Sequence, residues 1–359
     1  MNKNIETDLT KIKQLAKQLD HIKIMELCGT HSQTIAKYNL KSLIPGNIEL
    51  ISGPGCPICV TAQEDINRVI TLAENDLPIA IYGDALTLPG TNNSLEKLKQ
   101  EGKEIFVIYS AEDALKLQKN HPQIVFFGIG FETTTPMTAW AIKNRLTVYS
   151  AHKLFPPAMA ALLQNPEIKI NGFINPGHVS AIIGTRPYQN FDFPQVIAGF
   201  EPEDVIAAIK TLLELILNQQ NKVINQYQRV VKEKGNPKAM NLINQIFEIN
   251  DTNWRGLGLI PHSGLKIRPE YEKQNAEVVY ADILAQEAKT AGTVNKAESA
   301  CICGEILQGL KKPSDCPLFK NICTPENPQG ACMVSVEGAC QIKYKYSNFV
   351  TNSNWVIGS

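Results

Sequence analysis

The stretch IVFFGIGFETT, residues 124–134, is a short, wholly apolar run with an abrupt polar end. An uninterrupted apolar run of this length is typical of a strand that is buried on both faces, as in the parallel sheets of α/β proteins. Glu132 stands where the run ends. Because α/β proteins bind ligands at the carboxyl ends of parallel strands, Glu132 is a candidate functional residue.

Similar runs rich in Ile, Val and Phe recur on both sides of this stretch, from His21 to about Gln220, and alternate with amphipathic segments. Residues 61–73, for example, place Ile66, Val69 and Ile70 on one helical face. This alternation predicts an α/β fold with mainly parallel strands. The predicted strands are 22–27, 48–52, 78–82, 105–109, 124–131, 147–150, 168–174 and 196–200.

Polar or reactive residues follow each of these predicted strands, at the edge where parallel α/β sheets bind ligands. The alternative to a functional role is that these residues are polar only because loops are polar in general. For any single residue this alternative is as plausible as a functional role. The residues in question are Cys28, Cys56, Asp84, Ser110, Glu132, His152, His178 and Glu201.

Eight βα units could close into one barrel or divide into two open sheets of about four strands each, and the pattern alone leaves both possible. After Gln220 the alternation stops, and we expect polar, helical segments there. The cysteine-rich tail follows a charged stretch, 268–300, and is interpreted as a separate domain.

The composition is that of a globular protein, with 43% hydrophobic and 19% charged residues. Its 35 basic and 35 acidic residues leave no net charge to attract nucleic acid or an anionic membrane. The most apolar helical stretch, 205–217, is shorter than the roughly 20 residues that a membrane span needs. The polar residues 1–10 do not resemble a secretory signal, so a cytoplasmic location is expected.

The early cysteines stand in two motifs that suit metal or redox chemistry in a reducing compartment. Cys28 lies at a predicted strand-to-helix turn, where the helix dipole is expected to favour a thiolate, although a lone cysteine at such a turn is more often inert. Cys56 and Cys59 form a Cys-x-x-Cys pair behind two glycines. Such a pair can chelate a metal or alternate between dithiol and disulfide.

Six of the nine cysteines crowd into residues 301–340, interleaved with Pro and Gly, which predicts a metal centre. Four thiolates suit either a [4Fe–4S] cluster or a structural zinc ion, and the spacing does not choose between them.

The glycines of 128–130 begin a dinucleotide fingerprint that fails at Thr133. We expect these glycines to make room for a ligand or a partner.

Taken together, five motifs in this order over residues 25–346 resemble the HypD family of [NiFe]-hydrogenase maturation factors. They are CGTH (28–31), GPGCPICVT (53–61), GFETT (130–134), NPGHVS (175–180) and CTPENP (323–328).

The resemblance implies two similar open-sheet α/β domains that face a cleft, and a third, mainly helical or irregular domain that carries a [4Fe–4S] cluster. The boundaries expected are 20–120 for domain I, 121–220 for domain II, and 1–19 with 221–359 for the cluster domain. The cluster ligands expected are Cys303, Cys316, Cys323 and Cys340. Cys301 and Cys332 are then spare thiols, and a second set exchanges Cys332 for Cys303.

The resemblance also implies that Cys28, Cys56 and Cys59 hold Fe(II) or supply redox equivalents while the Fe(CN)2CO unit is built. The expected partners are a HypC-type chaperone, a HypE-type cyanide donor and, indirectly, the hydrogenase large subunit. His31 and His178 would hold or protonate incoming groups, and Glu132 would orient them. For His121, His152 and His262 we prefer a purely structural role.

Two rival hypotheses remain at this point. One is a cluster-dependent disulfide reductase that resembles ferredoxin:thioredoxin reductase and uses Cys56 and Cys59 on protein substrates. The other is a non-enzymatic scaffold stabilised by zinc, which would be colourless and free of acid-labile sulfide.

Overall fold

Two open, fully parallel sheets form the framework of the protein. The computed structural model describes residues 3–290 and 300–346. The first sheet has five strands in the order β2-β1-β7-β8-β9, the second has four in the order β4-β3-β5-β6, and β10 and β11 form an antiparallel hairpin. The α/β class and the two-sheet alternative are therefore confirmed, and the single barrel is excluded. The strands are β1 Ile22–Glu26, β2 Ile48–Ser52, β3 Ile79–Tyr82, β4 Ile105–Ile108, β5 Val125–Gly130, β6 Thr147–His152, β7 Gly172–Pro176, β8 Gln195–Ala198, β9 Val223–Asn225, β10 Phe247–Trp254 and β11 Gly258–Ile267.

Helices connect the parallel strands and cover the sheets, as βα units require. Within the described residues the α-helices are α1 Lys3–Ala16, α2 Gly29–Lys37, α3 Pro57–Val60, α4 Gln63–Glu74, α5 Leu95–Gln100, α6 Ala111–Gln118, α7 Thr135–Lys143, α8 Phe155–Gln164, α9 Gly177–Ile183, α10 Pro202–Leu217, α11 Pro237–Ile246, α12 Ala276–Val279, α13 Ala281–Thr290, α14 Cys303–Leu307, α15 Ala331–Val334 and α16 Ala339–Tyr346. Short 3₁₀ helices are at Leu40–Leu43, Gly83–Ala85, Arg186–Asn190, Pro269–Gln274 and Pro313–Asp315.

The strands alternate their side chains between a shared central core and an outer core. In β1, Ile22 and Ile24 pack with α1 and α10 on the outer side, whereas Met25 joins the central core. In β5, Phe127 joins the same central core, while Phe126 faces α7 on the other side. One face of each sheet therefore contributes to a common interior.

The sheets group the strands differently from the expected division at residue 120. β1 and β2 pair with β7, β8 and β9, so the first sheet combines residues 22–52 with residues 172–225. The whole second sheet, residues 79–152, is inserted between these two segments. Local apolar patterns locate strands but do not say which strands pair, because pairing depends on contacts that are distant in sequence.

Two further segments differ from the sequence-based expectation. Residues 1–19 were expected in the cluster domain, but α1 packs against α10 on the first sheet. The region after 220 was expected to be helical, yet it contains the β10–β11 hairpin, which packs on β6 and α8 beside the second sheet. The hairpin has one buried and one exposed face, which is why its apolar content resembles neither a buried strand nor a helix.

Residues 301–346, named here the tail segment, contain short helices joined by irregular loops. The tail segment packs on the first sheet through α16 against α2, and on the Cys-x-x-Cys helix through α15 against α3. Across residues 3–290 and 300–346, no helix is both long and apolar enough to cross a membrane.

Candidate functional site

Cys28 lies at the end of β1, where it is the N-terminal capping residue of α2. Its backbone N–H donates a hydrogen bond to Glu26 Oε2 at 3.1 Å, and the neighbouring Gly29 N–H donates to the Gly55 carbonyl at 3.4 Å. A Cβ atom on Gly55 would come within 2.4 Å of the Cys28 nitrogen. Only glycine therefore allows the loop before Cys56 to lie this close to Cys28.

Cys56 and Cys59 are joined by a disulfide at the start of α3, with 5.3 Å between their Cα atoms. Pro57 occupies the first helical turn, and the Cys59 N–H donates to Cys56 Sγ at 3.2 Å. Cys59 is fully buried and Cys56 is 4% exposed. The structure thus contains the oxidised form of the predicted dithiol couple, enclosed by protein.

The expectation that the helix dipole favours a Cys28 thiolate is not met by the protein alone. Burial, reinforced by the carboxylates of Glu337 and Glu26, raises the pKa of Cys28 to about 12. Desolvation of the charged form outweighs the N-terminal position on α2. Without a bound cation, Cys28 is therefore a thiol at neutral pH.

The tail segment contacts both early cysteine motifs. Cys59 Sγ lies 3.8 Å from the carbonyl oxygen of Ala331, the residue that precedes Cys332. Glu337 accepts a hydrogen bond from the Thr30 hydroxyl at 2.8 Å, and a Cβ on Gly29 would lie 2.3 Å from the Glu337 Cβ. The disulfide and Cys28 are therefore both covered by residues from the same C-terminal stretch.

The six tail thiols lie near one another, and all except the half-buried Cys301 are buried. The pKa of Cys340 is raised by burial and then by the negative charges that Cys303, Cys301, Cys323 and Cys316 would carry. The pKa of Cys301 is raised by its hydrogen bond with Cys303. The backbone N–H of Gln329 donates to Cys323 Sγ at 3.3 Å. By donor type these thiols suit an iron–sulfur cluster or a zinc ion, because they are soft donors that repel one another as thiolates and a cation would neutralise their charges.

The structure does not fix a ligand set among these thiols. Within the described ranges, 3–290 and 300–346, no three His, Cys, Asp or Glu side chains surround a common point as metal ligands would. Cys303 contacts both Cys301 and Cys332. Cys301 and Cys332, which were not expected to be ligands, therefore belong to the same cluster of cysteines as the expected ligands.

Glu132 is buried where β5 ends. One oxygen accepts a hydrogen bond from the Phe155 N–H at 2.9 Å, whereas the other has no partner within the described residues. Burial raises the pKa of Glu132 to about 7. Because α3 packs against β5, Glu132 belongs to the same region as the disulfide. A carboxyl group that titrates near neutral pH can accept or donate a proton.

The glycines before Glu132 make room for side chains of the protein rather than for a ligand. A Cβ on Gly128 would lie 3.1 Å from His152 Nε2, and one on Gly130 would overlap the Thr134 hydroxyl. The expectation of a ligand space at these glycines is therefore wrong.

His31 and His178 both stack against Phe200, with ring-centroid distances of 5.0 and 3.8 Å. His31 Nε2 lies 2.8 Å from the Gly199 carbonyl, and its Nδ1 is buried without a partner within the described residues. Burial lowers the pKa of His31 to about 4, so the ring is neutral at pH 7. Its free nitrogen can accept a hydrogen bond, but the ring does not supply a proton.

Several polar residues at strand ends have structural roles. Ser110 and Glu201 cap α6 and α10, and His152 is buried between Thr135 and Thr138. His121 lies beside Glu104, while His262 is exposed next to Asp251. For Ser110, Glu201 and His152 the interpretation of an ordinary polar strand end therefore describes the structure. His121 and His262 do not follow predicted strands, and their positions agree with the structural role expected for them.

Two residues of this region were not singled out from the sequence. Tyr188 is fully buried and accepts a hydrogen bond from Ser180 at 2.9 Å. Burial raises its pKa, and the negative charges that Glu132 and Cys28 would carry when ionised raise it further. Arg255 lies at the turn of the hairpin, donates to the Thr61 carbonyl at 3.1 Å, and its charge lowers the pKa of Cys301. Neither belongs to a recognisable motif, and only the packing of distant segments places them here.

Comparison with known proteins shows the family to which the chain belongs. The HypD family model, described as "Hydrogenase formation hypA family", matches residues 3–347. The chain belongs to the HypD family. It is 43% identical to hydrogenase maturation factor HypD2 of Bradyrhizobium diazoefficiens, covering 91% of this chain and 90% of that protein. It is 42% identical to HypD of Cupriavidus necator and 38% identical to HypD of Escherichia coli, each over 90% of this chain and 89% of the relative.

Membership of the HypD family makes this a hydrogenase maturation factor. Two of the cysteine motifs that carry the resemblance, 28–31 and 53–61, contact each other and the tail segment at Ala331 and Glu337.

Proposed function

We propose that this protein is the scaffold and redox factor on which the Fe(CN)2CO unit of [NiFe]-hydrogenase is assembled. A HypC-type chaperone would share the iron, a HypE-type protein would deliver cyanide, and the finished unit would pass to the hydrogenase large subunit. The observation that carries the proposal is the 3.8 Å approach of Cys59 Sγ to Ala331, next to Cys332. This contact supports the proposal because it brings the Cys56–Cys59 pair next to the segment that contains the six tail cysteines.

A [4Fe–4S] cluster is proposed for the tail segment. Its ligands would be Cys316, Cys323 and Cys340, with the fourth from the contacting pair Cys303 and Cys332. When bound, such a cluster supplies electrons one at a time. The Arg255 guanidinium would favour the thiolate form of nearby ligands.

The Cys56–Cys59 disulfide takes up two electrons and two protons when its S–S bond breaks, and it then becomes a dithiol. The electrons originate in an external one-electron donor. Glu132 could supply a proton, because its pKa of about 7 leaves it partly protonated at neutral pH. Reduction would free two sulfurs on the loop that contacts Cys28 through Gly55. Within residues 3–290 and 300–346 the three sulfurs do not surround a common point, so they would have to converge to hold Fe(II), the cargo, in a soft donor set.

The burial of the disulfide favours this role over a general disulfide reductase. A partner protein must reach the sulfur that it attacks, but Cys59 is fully buried and Cys56 is 4% exposed. Small ligands such as cyanide need far less space. The alternative of a ferredoxin:thioredoxin-type reductase predicts turnover of a protein disulfide in the absence of cyanide.

The test uses full-length protein, purified without air. We expect the complex with a HypC-type chaperone to show cyanide and carbonyl stretches in the infrared. Cys28→Ala should abolish hydrogenase maturation and these bands while the brown colour and acid-labile sulfide persist. Normal maturation in that variant would remove Cys28 from the mechanism, and colourless protein without sulfide would favour the zinc scaffold.

The fourth ligand can be assigned by two matched variants, Cys303→Ser and Cys332→Ser. The variant that loses cluster iron identifies the ligand, and the other should retain about four irons per chain. Full iron content in both would mean that the fourth ligand lies outside this pair.

A further inference from the structure

A large cavity, about 830 Å³ in volume, lies between β2 and the tail segment. None of the nine cysteines lines it. Cavities of this volume hold small organic ligands. The mechanism proposed above makes no use of this space.

Positive charge dominates the lining of the cavity. Five lysines line it, against the three carboxylates of Glu26, Glu49 and Asp315. Lys41 comes from the 3₁₀ helix that follows α2, and Lys343 comes from α16. The two sides of the cavity therefore each contribute cationic groups.

The acidic residues do not balance these charges. Glu49 is paired with Lys312 at 2.9 Å and approaches Lys23 at 3.8 Å. The side chains of Lys41, Lys311 and Lys343 form no ion pair within residues 3–290 and 300–346. Three of the lining ammonium groups therefore have no carboxylate within ion-pair distance in the described part of the chain, although Glu26 and Glu49 attract Lys41 from farther away.

The lysines are also close enough to repel one another. Burial lowers the pKa of Lys41, the nearby carboxyl of Glu26 raises it, and the charges of Lys312 and Lys343 lower it. A bound anion would relieve this repulsion, and lysine ammonium groups commonly bind phosphate and carboxylate oxygens as point charges.

The remaining walls are apolar. They include Ile48 and Leu50 of β2, and Leu310 and Ile342 of the tail segment. An inorganic ion would leave these walls uncovered, whereas an organic molecule would bury apolar surface against them.

We propose that this cavity is a binding site for a small organic dianion, with its charged group at Lys41, Lys311 and Lys343 and its apolar body against β2 and the tail segment. The ligand would bridge the first sheet and the tail segment and would stabilise their contact. No cysteine lines the site, although Glu26 contributes both to its lining and to the surroundings of Cys28.

Isothermal titration of the full-length, anaerobically purified protein with phenyl phosphate, phthalate and inorganic phosphate tests the proposal. We expect phenyl phosphate or phthalate to bind at least about tenfold more tightly than inorganic phosphate, because a phenyl ring buries apolar area. Tighter binding of phenyl phosphate indicates a phosphate ester as ligand, and tighter binding of phthalate indicates a dicarboxylate. No binding of either at millimolar concentration overturns the proposal, and inorganic phosphate binding equally well overturns the role of the apolar walls.

The double variant Lys41→Gln/Lys343→Gln should weaken binding about tenfold, because two charge interactions are lost. The matched control is Lys99→Gln/Lys119→Gln, which removes two exposed charges from α5 and the end of α6. The control should bind like the parent. Equal binding by the double variant, or equal weakening in the control, contradicts the site. Lys311→Gln serves as an independent variant, with a smaller loss expected, if the double variant does not fold.

Discussion

Substitution of Gly55 by alanine tests the contact between the two early cysteine motifs. The added Cβ would lie 2.4 Å from the Cys28 nitrogen, 2.4 Å from the Leu27 carbonyl carbon and 2.6 Å from the Cys28 Cα. All three atoms belong to the backbone, so no side-chain rotation can relieve the overlap. One of the two loops must move, and overpacking of this kind costs about 1–3 kcal/mol.

Gly46→Ala is the matched control, because a Cβ there meets no atom within 4 Å. We expect it to leave stability unchanged or to raise it slightly. With a urea dependence of about 3 kcal/mol per molar, a loss of about 2 kcal/mol lowers the unfolding midpoint by roughly 0.7 M. Tryptophan fluorescence during anaerobic urea titration measures both variants against the parent.

The effect of Gly55→Ala on hydrogenase maturation can be distinguished from its effect on the stability of the fold. Gly55→Ala retains every thiol, so its cluster iron should equal that of the parent, whereas hydrogenase maturation should fall because Cys28 and Cys56 are pushed apart. If Gly55→Ala and Gly46→Ala unfold at the same urea concentration, the close approach described here is not tight and the reasoning fails.

Three further predictions concern proton binding, a buried amine and the metal. Burial raises the pKa of Glu132 from 4.5 to about 7, so the folded state binds more protons than the unfolded state between these values, and stability falls as pH rises through that window. In the Glu132→Gln variant the free energy of unfolding should therefore fall by roughly 3 kcal/mol less between low and high pH than in the parent. The prediction is contradicted if the urea unfolding midpoint changes by the same amount between pH 5 and pH 8 in the variant and in the parent. Lys153 is buried, donates to the Asn253 carbonyl at 2.7 Å and lies 3.9 Å from Asp65; Lys153→Met should cost about 2–4 kcal/mol in urea unfolding, whereas the exposed Lys99→Met should cost less than about 0.5 kcal/mol. Removal of iron with a chelator should increase protease cleavage within residues 301–346 and leave the parallel sheets protected, and an unchanged cleavage pattern would argue against a structural role for the metal.

The sequence predicts the strands well because buried parallel strands are continuous apolar runs bounded by polar residues. All eight predicted strands are present, with ends that differ by a few residues; the largest difference is at β7, which begins at Gly172 rather than 168. β9 was missed because only three residues, Val223–Asn225, pair at the sheet edge. The hairpin was missed because most of β10 is polar: only its end residues, Phe247 and Trp254, are buried, and the residues between them are partly or fully exposed.

The site is only partly readable from the sequence. The motifs identify Cys28, Cys56 and Cys59 as chemically interesting, but the contact of Cys59 with Ala331 joins residues 272 positions apart. The pKa of Cys28 moves in the direction opposite to the helix-dipole argument, because burial depends on tertiary packing that the motif does not encode. Tyr188 and Arg255 likewise acquire their neighbours only through the fold.

The insertion of one sheet within the other has a consequence for synthesis on the ribosome. Strands β3 to β6 are contiguous, so the second sheet can form as soon as residues 79–152 have emerged. β1 and β2 are made earlier, yet their partner β7 arrives only at residues 172–176. The nascent chain must therefore carry an exposed two-stranded ribbon bearing Cys28 for more than a hundred residues of elongation, which makes this stretch the one most in need of chaperone protection.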